Sequence, residues 1–267
     1  MKPFLKWAGG KYKIIDRVRE KLPNGARLIE PFVGSGAVFM NTDYSEYLLA
    51  DANPDLINVF QHVQSDADFI NYAERFFCPE NNQESVFYEF RQTFNATDNL
   101  ALHAALFIYL NRHCFNGLCR YNAKGGFNVP FGRYTRPTFP KEELLAFRQK
   151  SQNAIFQCAT FEQTMLQAKK GGACVVYCDP PYVPLSVTSS FTSYTQDGFT
   201  QRDQEKLADL ANYLMGQGVC VVISNHDTIF TREIYAAAQI EAFDVQRFIS
   251  SKVNNRTKAA ELLAVFA

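Results

Sequence analysis

The sequence predicts an α/β fold in which a mostly parallel sheet is interrupted by a largely helical insert, and three observations carry that prediction. Val175-Val176-Tyr177-Cys178 is an apolar run that halts at Asp179-Pro180-Pro181-Tyr182, as a strand buried on both faces of a parallel sheet does. Arg27-Leu28-Ile29-Glu30 is a second such run, closely followed by Gly34-Ser35-Gly36; a strand leading into Gly-x-Gly marks a loop that lets a ligand approach the main chain. From Asp55 to about Pro140 the strand–helix alternation lapses, which sets residues 55–140 apart from a sheet built by 1–54 and 141–267.

In chain order, Phe4-Leu5-Lys6-Trp7-Ala8-Gly9-Gly10-Lys11 places the only tryptophan beside a Gly-Gly turn and two lysines. Such a segment is either an entry loop or a main chain that, with Lys11, closes on an anionic group. A helix over Tyr12–Leu22 stops before Pro23. After the first strand a helix is expected from Ala37. Phe39 stands where a dinucleotide fingerprint has its third glycine, which weakens a pyrophosphate site. The next strand, Tyr47 to Ala50, delivers Asp51 at its end, either to ribose hydroxyls or as a helix N-cap.

Helical patterns follow at Asp68–Phe77, Val86–Phe94 and Leu100–Arg112, then a loop-rich stretch with Gly117, Gly125, Gly126, Pro130, Gly132 and Pro137. No Asp or Glu occurs from Asn99 to Lys141, a window that holds Arg112, Arg120, Lys124, Arg133 and Arg136 interleaved with Phe115, Tyr121, Phe127, Phe131 and Tyr134. Basic groups for phosphates beside flat rings for stacking or wedging are the footprint of a nucleic-acid surface. The sheet resumes with a strand at Ala154–Cys158 and a helix from Phe161 to Gly171-Gly172. The polar stretch Leu185 to Gly198 reads as a substrate-covering loop. A helix at Gln201–Met215, a strand at Val219–Ser224, a helix at Thr228–Ala238 and strands at Phe243–Ile249 and Leu262–Phe266 complete the core. Lys252 to Lys258 is a short basic turn.

Asp179-Pro180-Pro181-Tyr182 is the element with chemistry in it. Proline cannot donate to a ladder, and Pro181 keeps Pro180 extended, so the chain leaves the strand as a stiff elbow at the edge where open α/β sheets bind ligands. The exocyclic amine of adenine is a poor nucleophile because its lone pair is delocalised into the ring. Asp179 and the Pro180 carbonyl, each accepting one N–H, would pull that nitrogen toward tetrahedral geometry, while Tyr182 stacks on the base. By itself the tetrapeptide is equally a strand-ending turn.

Bulk properties exclude several classes. Hydrophobic residues make up 47% and formal net charge is zero, so the chain can build a core and its overall charge points to no partner. No signal-peptide pattern occurs, and Ala101–Leu110 is too short to span a bilayer; a soluble, cytoplasmic protein is expected. Seven cysteines, with no Cys-x-x-Cys, argue against zinc.

Asp179-Pro180-Pro181-Tyr182, Pro31-Phe32-Val33-Gly34-Ser35-Gly36 and the amino-terminal Phe4–Lys11 segment occur here together, and the chain thereby closely resembles the S-adenosylmethionine-dependent DNA adenine-N6 methyltransferases of the Dam type, which methylate GATC. The resemblance implies a Rossmann-like methyltransferase sheet with an inserted, mainly helical target-recognition domain that binds double-stranded DNA, in an enzyme expected to act as a monomer without metal. It implies catalytic roles for Asp179, Pro180 and Tyr182, and S-adenosylmethionine contacts from Trp7, Lys11, Phe32, Gly34, Gly36, Asp51, Phe161 and Asp179. It also implies that Arg120 reads a guanine, that Leu118 and Pro130 meet thymine methyl groups, and that Lys6 reaches the outer guanine. Asn116 would lie in the reading hairpin, Arg133 would meet a phosphate, and Phe115 would take the place of a wedge aromatic that is commonly tyrosine. The rival readings are the same chemistry on another DNA site, an RNA adenine or a protein amide; a nicotinamide oxidoreductase; and a non-catalytic DNA-binding protein.

Overall fold

A computed structural model describes residues 1–168, 173–183, 198–246 and 258–267. These residues form a seven-stranded sheet in the order β3-β2-β1-β4-β5-β7-β6. Strands β1 (Arg27–Glu30), β2 (Glu46–Asp51), β3 (Ala154–Cys158), β4 (Cys174–Cys178) and β5 (Cys220–His226) run parallel. The last pair, β6 (Gln239–Gln246) and β7 (Lys258–Phe266), is antiparallel, with β7 inserted beside β5.

Alternation of side chains assigns the two faces. Leu28, Leu49, Val175 and Tyr177 enter one apolar cluster, whereas Ile29, Leu48, Val176 and Cys178 enter the other, as the period of two requires. The first face is covered by α1 (Ile15–Lys21), α2 (Pro54–Ser65) and α6 (Lys141–Lys150). Its cluster continues without a break into α3 (Phe69–Glu74), α4 (Glu84–Ala96) and α5 (Leu100–His113), the helices between β2 and β3. On the opposite face lie α7 (Phe161–Met165), α8 (Gln201–Met215) and α9 (Ile229–Ile234). α5 is apolar nearly all round, from Ala104 to Leu110, and so is buried on all sides.

Two helices carry no separate expectation from the sequence. α2 starts at Pro54, capped by Asn53, whose side chain accepts from the Asp55 and Leu56 amides; Asn53, not Asp51, is the cap. α6 spans Lys141–Lys150 directly ahead of β3. The helix expected from Ala37 is replaced by turns and a single 3-10 turn, Phe39–Asn41. Its cause is local: Gly34 (φ 48°) and Gly36 (φ 73°) both turn left-handed, and the Phe39 ring drops into the core against Tyr47, Phe147 and Phe156. A residue read as a flaw in a phosphate loop is thus a core anchor. α7 and α9 are shorter than their patterns, and β6 begins at Gln239 instead of Phe243. Residues 252–257 of the basic turn and 185–197 of the polar stretch lie outside the described residues, and Lys258 opens β7.

From β1 the chain proceeds outward to β2 and β3, then crosses back to build β4 and β5 on the other side of β1. The reversal of strand order therefore falls between β1 and β4. A crevice opens at such a point, outside the carboxyl ends of the strands, and the glycine turn after β1 and the Asp179 elbow after β4 both sit there.

Candidate active site

The site assembles around Asp179. β4 ends at Cys178, and Asp179 emerges with its side chain about one-fifth exposed, at 21%. Its Oδ1 lies 2.7 Å from Lys11 Nζ and accepts a hydrogen bond of 3.0 Å from Ser224 Oγ on β5. Burial pushes the Asp179 carboxyl up from its ordinary value, and the Lys11 ammonium pulls it back. Lys11 itself is buried, donates to the Gly9 carbonyl at 2.6 Å and stands 4.5 Å from the centre of the Tyr182 ring. Tyr182 is met edge-on by His226, 4.8 Å away, and its hydroxyl donates to Glu261 Oε2 at 3.4 Å. Behind the corner, Glu30 at the end of β1 is 1% exposed, and burial together with the charge of Asp179 raises its carboxyl well above the usual range.

The glycine turn lies under the amino-terminal segment. A Cβ on Gly34 would meet Trp7 Nε1 at 3.0 Å, so the indole rests on the bare main chain. Asp51, at the end of β2, accepts the Gly34 amide on Oδ2 (3.1 Å) and the Asn53 amide on Oδ1 (3.0 Å). Desolvation outweighs these donors and raises its carboxyl to about 6. Phe32, just before the turn, stacks on Phe161 with ring centres 5.6 Å apart, and Phe199 closes edge-on against both. Direct contacts thus join Trp7, Gly34 and Asp51 in one group, Lys11, Asp179 and Tyr182 in a second, and Phe32 and Phe161 in a third. Gly36 packs below them, facing Phe147 and Phe39.

A second assembly is built on the end of α5. Asn111, 2% exposed, holds the amino-terminal segment by both backbone groups of Lys6: its Oδ1 accepts the Lys6 amide (2.9 Å) and its Nδ2 donates to the Lys6 carbonyl (2.8 Å). Lys6 Nζ then lies 4.1 Å from the Tyr134 ring centre, and burial and the nearby Arg112 lower its pKa. Phe115 follows on a 3-10 turn and remains 51% exposed. Its amide donates to the Pro130 carbonyl and the Asn116 amide to the Tyr134 hydroxyl, each at 2.9 Å. Bridges at Cys114–Phe131 and Tyr121–Phe127 zip the segment into a hairpin. Asn128 orients Arg120: Nε donates to Asn128 Oδ1 at 2.7 Å and Nη2 to the Asn128 carbonyl at 3.2 Å. Phe115, Asn116, Leu118, Arg120 and Pro130 therefore share the hairpin, with Lys6 of the amino-terminal segment beside it at Gly117 and Tyr134. Arg133, in a left-handed conformation (φ 52°), turns to Glu84, 3.5 Å away.

Residues 7–249 match the family model described as D12 class N6 adenine-specific DNA methyltransferase. The chain belongs to this family. A protein of Vibrio cholerae named DNA adenine methylase is 49% identical over 265 residues, which cover 98% of this chain and 95% of its own. One of Escherichia coli K12 with the same name is 49% identical, covering 98% and 94%, and one of Serratia marcescens is 51% identical, covering 98% and 97%. The methyltransferase therefore acts on adenine in DNA and requires a methyl donor, which removes the nicotinamide and non-catalytic readings. Among its described residues no group of acidic, His or Cys side chains is arranged to hold a metal ion, and no helix is long and apolar enough to cross a membrane.

Several contacts of this methyltransferase have no counterpart in the sequence reading. Ser224, Asn225 and Gln204 grip the elbow, and Phe199 completes the aromatic cluster. Asn53, Asp55 and Tyr121 tie the hairpin to the start of α2, Tyr121 donating to Asp55 Oδ2 at 2.5 Å. The available signal was a polar run, Ser224-Asn225-His226, closing an otherwise apolar strand at the ligand-binding edge of the sheet.

Proposed function

We propose that the methyltransferase turns adenine of GATC out of double-stranded DNA and methylates its N6 from S-adenosylmethionine. The observation that carries the proposal is the position of Asp179: a partly exposed carboxylate at the switch point of the sheet, followed by two prolines and a fixed ring, next to a glycine turn. The chain fits that donor. Gly34 lets the Trp7 indole lie against the turn, Asp51 offers carboxylate oxygens to ribose hydroxyls, and Phe32 and Phe161 give flat apolar surface for an adenine ring. Phe39, buried where a pyrophosphate loop needs a glycine, suits a nucleoside without pyrophosphate. Lys11 is placed to answer a carboxylate. The bound donor supplies an electrophilic methyl group on sulfur.

The residues of the chain do the rest. The hairpin binds the duplex, with Arg120 on a guanine edge and Arg133 exchanging Glu84 for a phosphate. Phe115 enters the stack as the base leaves, and unstacking costs a few kcal/mol, offset by new stacking on Tyr182. Asp179 and the Pro180 carbonyl accept the two N–H bonds of the amine, exposing its lone pair. Rate comes from orientation and fixed dipoles, with no covalent intermediate on the enzyme. A monomer suffices for every step.

The deciding experiment is transfer of labelled methyl from S-adenosylmethionine to plasmid DNA, followed by digestion with nucleases that cut only methylated or only unmethylated GATC. Label confined to GATC adenine is expected. Label at other adenines, or in RNA alone, overturns the site assignment.

A further inference from the structure

The elbow that carries Asp179 cannot brace itself. Pro180 and Pro181 have no N–H, so two successive residues give no donor to a turn or a ladder. Polar side chains from β5 and α8 take over that task. Gln204 Nε2 donates to the Pro181 carbonyl at 2.8 Å. Asn225 Oδ1 accepts the Val183 amide at 3.2 Å and the His226 amide at 2.8 Å. Asn225 Nδ2 donates to Gln204 Oε1 (3.0 Å) and to the Tyr235 hydroxyl (3.1 Å), which in turn donates to Gln204 Oε1 at 3.5 Å. Gln204 is 2% exposed, and Asn225 and Tyr235 are both 0% exposed. Each amide can face only one way, because reversing either would set donor against donor.

The triangle reaches the elbow on both sides of Tyr182 and leaves the Pro180 carbonyl to which no described residue donates. Ser224, the residue before Asn225, fixes the carboxylate itself through its hydroxyl. We propose that Gln204, Asn225 and Tyr235 form a positioning rack that holds the Pro180 carbonyl and Tyr182 at the distance needed to grip the adenine amine. None of the three touches the reacting atoms. Their effect is on the rate of transfer, not on how tightly cofactor or DNA is held. The proposal rests on the assignment of Asp179 and Pro180 as the amine's acceptors.

Gln204→Met keeps the length of the side chain and removes both of its polar functions. Tyr235→Phe removes one hydroxyl and keeps the packing. The full-length protein and both variants would be assayed for single-turnover methyl transfer to a GATC duplex, for S-adenosylmethionine and duplex dissociation constants, and for melting temperature. A rate about ten- to a hundredfold lower in Gln204→Met, a fall of a few-fold in Tyr235→Phe, and dissociation constants unchanged within about twofold are expected. A folded Gln204→Met with the wild-type rate overturns the rack, as does a rate loss matched by an equal loss of cofactor affinity. If Gln204→Met does not fold, Tyr235→Phe decides by the same two criteria. Failure of the wild-type protein to methylate the duplex would instead sink the reading on which the rack rests.

Discussion

At the scale of single residues, the carboxylates of Asp179 and Asp51 have different proposed tasks and should answer differently to change. Replacing Asp179 with Asn keeps the contact with Ser224 but loses the charge that pairs with Lys11 and one strong acceptor. Single-turnover transfer is expected to fall by a factor on the order of 10²–10³, with duplex binding in gel shift retained; near-normal turnover would refute the assignment. Asp51, raised to about 6, gives a pH effect whose sign follows from its role. Below that value the proton occupies an oxygen that ribose hydroxyls need, and above it both oxygens accept. Cofactor affinity should therefore rise as pH climbs from one unit below that value to one unit above, and Asp51→Asn should flatten the titration seen by calorimetry. Asp179 was legible in the sequence because two prolines and an abrupt end of hydrophobicity punctuate it. Gln204 was not: one glutamine in an amphipathic helix looks like surface until the fold turns it inward.

Among elements, the hairpin after α5 is tied to its neighbours close to its turn, beside the Tyr121–Phe127 bridge. Tyr121 anchors it to the amino end of α2 through Asp55 and Asn53, and Arg91 and Asn95 of α4 donate to the Val129 and Phe127 carbonyls. Tyr121→Phe leaves Asp55 short of a donor and should cost about 1–3 kcal/mol in chemical denaturation, with weaker duplex binding. Arg120→Ala should cost about 1–3 kcal/mol of discrimination at a single base pair, read from competition between GATC and singly altered duplexes. Should selectivity survive intact, the hairpin is not the reader. Element type was readable wherever period and punctuation agreed, as in α5, α8 and β3. It failed after the glycine turn, where Ala37–Asn41 has a helical composition but two left-handed glycines upstream and a ring committed to the core deny it a helix. α2 escaped notice because it starts at a proline where the strand–helix alternation is expected to lapse.

Across the whole molecule, Phe147 is the point where sheet, amino-terminal segment and helices meet. Its ring packs on Phe4, Phe39, Phe60 and Phe156. Phe147→Ala should lower stability by about 3–5 kcal/mol, measured by denaturant unfolding, and should loosen the Gly36 turn that rests on the same ring. The parallel part of the sheet could be anticipated from buried runs. The insertion of β7 between β5 and β6 could not, since register across a sheet is set by partners distant in sequence. The same holds for the bond between Asn111 and Lys6, which joins residues 105 apart.

The ion pair between Lys11 and Asp179 also determines what the pocket will refuse. An acid already matched by an ammonium draws a free ammonium less strongly than a bare carboxylate would, yet retains a lone pair for an uncharged N–H. Lysine side chains and polyamines, which crowd around nucleic acids, are therefore poor competitors for this corner, whereas a neutral nucleobase amine is not discriminated against. The matched pair here favours a neutral amine over a competing ammonium before shape is consulted.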